Sequence, residues 1–145
     1  MWHVPVWPDD PEAANRLYHE LVLSLVESYE IPFGDDLPNP TQLLRGFLEG
    51  NVSADELNRN AADWWSVLDD PPEQLLDFSS AKALTARFAL VLLHPQIERD
   101  ELDDHFNWVV ELFTLRSHAH SGVMRRVQEY CERTGAPCAH CTAPQ

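Results

Sequence analysis

Basic side chains are scarce in this sequence. Ten Lys and Arg stand against 24 Asp and Glu among 145 residues, a formal net charge of −14, and the sequence pI is about 4.6. Neutralising phosphates needs a basic footprint, so direct binding of nucleic acid is not expected. Glycine is equally sparse. Five separated glycines leave no room for a phosphate-cradling loop or a dinucleotide fingerprint, and no G-x-S-x-G elbow occurs. No apolar run approaches the roughly 18–20 residues that span a bilayer. The longest, Phe88 to Leu93, excludes a membrane helix. The opening Met-Trp-His-Val-Pro-Val-Trp-Pro has neither a basic nor an apolar targeting region, so no signal peptide is expected. Three cysteines, Cys131, Cys138 and Cys141, are too few and too clustered to staple a whole fold. A reducing cytoplasm is the simplest compartment.

What the sequence does contain is helical periodicity. A hydrophobic share of 44% suffices for a core, and the length fits one domain over residues 1–145. Asp10 as N-cap and Pro11 open a first helix to about Glu30, with Ala14, Leu17, Tyr18, Leu21, Val22, Leu25 and Tyr29 as its core stripe. A second helix follows Asn39-Pro40 and ends at Gly50. A third starts from the capping-box pattern Ser53-Ala-Asp-Glu56 and presents Leu57, Ala61, Trp64 and Leu68. Asp70-Pro71-Pro72 opens a short helical turn through about Asp77. Ser80 caps an almost uniformly apolar segment, Ala81 to Leu93, which reads as a buried central helix. Its alanines allow close approach of neighbours. A fifth helix covers about Asp100 to Leu115, and a last one about Ser121 to Thr134, closed by Gly135. Alternation typical of a strand appears only at His3 to Trp7, where prolines argue against a central strand. The expected fold is all-α: a bundle of five to seven helices with short loops, no significant sheet, and irregular segments at 1–9 and 136–145.

Chemistry-bearing residues are few. Cys138-Ala-His-Cys141, with Cys131 seven residues earlier, offers three thiols and His140. Zinc takes four S/N ligands, but the second matched ligand pair of a zinc site is missing. A packed helix cysteine and a free tail is the simpler reading. Glu101 and His105 share a helix face, yet the Glu-x-x-His pairs of di-iron bundles are absent. Asp100, Glu101, Asp103 and Asp104 instead fill a first turn, where the helix dipole favours carboxylates. His118 and His120 lie at a helix junction. No catalytic activity, metal or cofactor is therefore expected.

Recognition is the better-supported theme. Residues 1–72 hold 14 acidic groups against Arg16, Arg45 and Arg59, a net −11; residues 73–145 hold ten against seven bases, a net −3. Leu23 falls on the polar face of the first helix among Glu12, Arg16, His19, Glu20, Glu27 and Glu30. This pattern predicts an exposed apolar anchor with an acidic rim. Asp55, Glu56 and Asp63 mark the outer face of the third helix. The expected partner-binding residues are therefore Glu20, Leu23, Glu27, Asp55, Glu56 and Asp63, and the expected partner is a basic protein. Trp108, Leu112 and Leu115 form a second apolar stripe on the fifth helix, suited to sandwiching or to a homodimer. The profile is that of a bacterial immunity or antitoxin protein covering the basic active site of a toxin. A Cys/His metal or redox protein and a helical adaptor are the alternatives.

Overall fold

A computed structural model describes residues 3–70, 72, 78–136 and 138–140, with only the backbone of residues 3, 4 and 138–140. Six α-helices dominate it: α1 (Pro11–Ser28), α2 (Pro40–Leu48), α3 (Ala54–Leu68), α4 (Ala81–Leu92), α5 (Leu102–Ser117) and α6 (His120–Thr134). The fold is all-α, as expected. The short helical turn expected to run on to Asp77 lies almost wholly outside the described residues.

Local chemistry sets the helix boundaries. Asp10 Oδ2 accepts from the Ala13 amide at 2.9 Å, Ser53 Oγ from the Glu56 amide at 3.1 Å and Ser80 Oγ from the Ala83 amide at 3.2 Å. Each cap satisfies a donor with no intrahelical partner. α6 ends where Gly135 adopts φ 71°, a left-handed closure that glycine takes without strain. α5 starts later than its acidic run suggests, because Arg99–Glu101 form a 3-10 turn first. It also ends later, with His118 at φ 58° donating its amide to the Thr114 carbonyl.

The termini depart from the expectation of irregular segments. Strand β1 (His3–Pro5) pairs antiparallel with β2 (Cys138–His140), in the register His3 to His140, Val4 to Ala139 and Pro5 to Cys138. Pro5 has no amide to donate, so it stands at the end of a ladder and not within a wider sheet.

The chain forms two compact units: residues 1–25 with 98–145, and residues 26–97. In the first, Trp7 packs edge-on against Tyr18 and Phe106, at centroid distances of 6.2 and 5.9 Å. Leu21, Leu102, Val109, Phe113, Val123 and Val127 complete that core. Trp7 also donates its indole N–H to Asp103 at 2.7 Å. Arg99 donates to the carbonyls of Pro8 at 2.6 Å and Trp7 at 2.9 Å, so the segment before α1 is held by side chains some 90 residues away.

In the second unit α4 packs on both α2 and α3. Its Ala83, Ala86 and Ala89 are fully buried, the close approach their small size allows. Phe33 meets Trp64 edge-on at 6.0 Å, and Leu44, Leu57, Leu68, Phe88 and Leu92 are buried in the same unit. Gly46 is small for a steric reason: a Cβ there would lie 2.6 Å from Val52 Cγ2.

Candidate protein-binding surface

Leu23 is not an exposed anchor. It retains 8% of its surface, and His19, one turn earlier, retains 2%. The buried arc of α1 is wider than its amphipathic stripe. It continues from Tyr18, Val22 and Val26 across His19 to Leu23. Residues four apart share a face, so the burial of His19 carries Leu23 inward with it. Leu23 is therefore a core residue and not the exposed anchor expected of it.

The two carboxylates expected to flank it already have partners. Glu20 pairs with Arg16 at 2.8 Å. Together with burial, its charge raises the Tyr130 hydroxyl above the usual tyrosine range, which places Glu20 beside α6. Glu27 accepts from Arg45 in a close ion pair. Both pairs are solvent-exposed and weak in energy, but they lower the net charge offered to a partner.

The third helix keeps its acids uncompensated. Among the described residues, no cation lies within ion-pairing distance of Asp55, Glu56, Asp63 or Asp69. Asp55 and Glu56 occupy the first turn, where the helix dipole stabilises them as anions. Glu20 and Leu23 belong to the first compact unit, and Glu27, Asp55, Glu56 and Asp63 to the second. The six residues thus divide between the units, and the uncompensated subset lies on α3.

One residue of that helix escaped the sequence reading. Trp65 is 51% exposed. Its neighbour Trp64 carries the periodic core signal, and Trp65 falls a residue outside it. No pattern in the sequence separates an exposed tryptophan from a half-covered one.

The charge split also changes when the chain folds. Residues 1–25 and 98–145 hold 12 acidic and six basic groups, a net −6, and residues 26–97 hold 12 acidic and four basic, a net −8. The −11 and −3 of the two sequence halves do not become an acidic and a near-neutral unit. α5 and α6, with their bases, join the acidic start of α1, and α4 joins α2 and α3.

Among the described residues, the remaining candidates do not assemble a reactive centre. Among the described residues, no group of three His, Cys, Asp or Glu side chains is placed to hold a metal. Cys131 is buried and disulfide-bonded, which removes its thiolate from the four-ligand set of Cys131, Cys138, His140 and Cys141. Cys141 lies outside the described residues. Asp103 receives the Trp7 indole, a structural use. His105 turns an edge toward Tyr18 at 6.5 Å, and His118 and His120 are exposed. On the second stripe of α5, Leu112 is fully buried and Trp108 is 37% exposed, so sandwiching accounts for much of it. Among the described residues, no helix is long and apolar enough to cross a membrane.

No family model, curated protein or solved structure matches this chain.

Proposed function

We propose that this chain is a non-enzymatic inhibitor that binds a basic protein, of the bacterial immunity or antitoxin kind, and that α3 carries the contact. The observation behind this reading is the run of uncompensated carboxylates on one solvent-facing helix, Asp55, Glu56, Asp63 and Asp69, within a unit of net charge −8. Such a surface speeds encounter with a cationic partner and repels nucleic acid. A toxin that handles phosphates has the complementary field in its active-site cleft, and covering that cleft needs no chemistry from the inhibitor. The cytoplasmic location expected from the cysteine count meets a contrary observation in the Cys131 disulfide, since disulfides persist in oxidising compartments.

The reading is tested by adding the purified chain to a panel of basic nuclease domains and following turnover at low and high salt. Inhibition of at least one member, relieved by salt, is expected. Uniform failure to inhibit, or inhibition indifferent to salt, contradicts it.

A further inference from the structure

We propose that Trp65 is an arginine-binding anchor within the acidic face of α3, and that the partner docks a cationic protein segment whose arginines, not lysines, make the contact. This rests on the protein-binding reading above and adds the chemistry of the contact.

At about 100° per residue, Arg59 falls midway between Asp55 and Asp63, outside ion-pairing distance of either. The neighbouring arc, about 80° wide on the same spacing, has no basic residue. It carries Trp65, Asn58, Ala62, Asp69 and Asp55, all exposed. Ala62 lies one turn before Trp65, and its small side chain leaves room beside the indole. Asp69, one turn after, continues the helical path as C-cap. Asp55 stands roughly 15 Å back along the axis, from the helical rise per residue.

Among the described residues, the Trp65 side chain has no ring contact, no cation over it and no hydrogen bond. The same unit shows how a half-exposed aromatic is otherwise covered: the Arg87 guanidinium lies 4.6 Å from the centroid of Phe78. Trp65 lacks that cover and is the more exposed of the two.

The geometry favours arginine for a chemical reason. A planar, weakly hydrated guanidinium stacks on an indole face and still directs its edge at a carboxylate. A lysine ammonium is a compact, strongly hydrated point charge and gains less from the ring. With Asp69 one turn from Trp65, one arginine can use both, and a second basic residue can pair with Asp55. The charge of this arc excludes a nucleic-acid occupant.

The test titrates the full-length chain with an oligoarginine peptide and an oligolysine peptide of equal length, measuring affinity by calorimetry and following the Trp65 indole N–H by NMR in the chains that keep it. Trp65→Ala is compared with Trp108→Ala, a tryptophan of the other unit, and Asp69→Asn with Asp104→Asn, an exposed carboxylate of that other unit. The expected result is a Trp65 shift with oligoarginine, tighter than with oligolysine. Trp65→Ala should weaken that binding by about two- to fivefold, the scale of one exposed cation–π contact. Asp69→Asn should also weaken it, while Trp108→Ala and Asp104→Asn leave it near wild type. Salt-sensitive binding unchanged by Trp65→Ala, or equal affinity for the two peptides, overturns the anchor but leaves the acidic surface standing. Binding of neither peptide overturns the acidic surface as well.

Discussion

Leu23→Ala separates an interface residue from a core residue. An exposed leucine on a helix can be cut to alanine at almost no cost, because surface substitutions stay within about 0.5 kcal/mol and alanine is the better helix former. Leu23 keeps only 8% of its surface. Truncating a fully buried leucine costs about 2.7–5 kcal/mol, the lost transfer term plus the cavity left behind. Leu23 lies at the margin of the buried arc of α1, where neighbours can relax inward. Its loss therefore belongs at the lower end, about 2–3 kcal/mol. For a chain of this size that corresponds to roughly 10 °C in Tm. Urea and thermal unfolding followed by far-UV circular dichroism measure it. A loss below about 0.5 kcal/mol would refute the burial argument and return Leu23 to the surface.

Four further outcomes follow from the packing. Gly46→Ala should destabilise by about 1–3 kcal/mol despite the better helix propensity of alanine, because its Cβ meets Val52 at 2.6 Å and overpacking costs that much; chemical denaturation reads the sign. Trp7→Phe keeps a ring between Tyr18 and Phe106 but loses the hydrogen bond to Asp103, a cost of about 1.5–3 kcal/mol for a bond to a charged acceptor. Burial holds the Tyr18 hydroxyl well above the usual tyrosine range. The folded state therefore keeps a proton that the unfolded chain releases above about pH 10, so stability falls as pH rises beyond that point, and Tyr18→Phe should flatten the decline. The disulfide at Cys131 predicts one alkylatable thiol per chain in unreduced, denatured protein; labelling of all three would return the chain to a reducing compartment.

Helices were legible in the sequence because their signals are local. Ser53, Ser80, Asp10 and Gly135 act within a turn of themselves, and all four perform the capping or closing role their positions suggest. The β1–β2 ladder and the Trp7–Asp103 bond join residues more than 90 positions apart, and short polar-flanked segments carry no period that would reveal such a partner. Leu23 misled for a related reason. A helical wheel reports composition around one helix, whereas burial depends on what that helix meets, and His19, polar by composition, is core. The charge halves misled because sequence order is not spatial order: α1 joins α5 and α6, while α4 joins α2 and α3. For the recognition surface, the sequence supplied the carboxylates of α3 but not the exposure of Trp65, which depends on whether anything covers a residue next to the core stripe.

The central claim is that the uncompensated acids of α3, not the paired acids of α1, meet a basic partner. Its most direct test compares two charge reversals, Asp55→Lys with Glu56→Lys and Asp63→Lys on α3, and Glu20→Lys with Glu27→Lys on α1. Each is titrated by calorimetry across a salt series against a basic nuclease domain that the wild type inhibits. The account predicts that the α3 variant loses at least about tenfold in affinity, or about 1.4 kcal/mol, together with most of the salt dependence, and that the α1 variant loses less. Equal losses from both, or an α3 variant that binds as the wild type does, would contradict it.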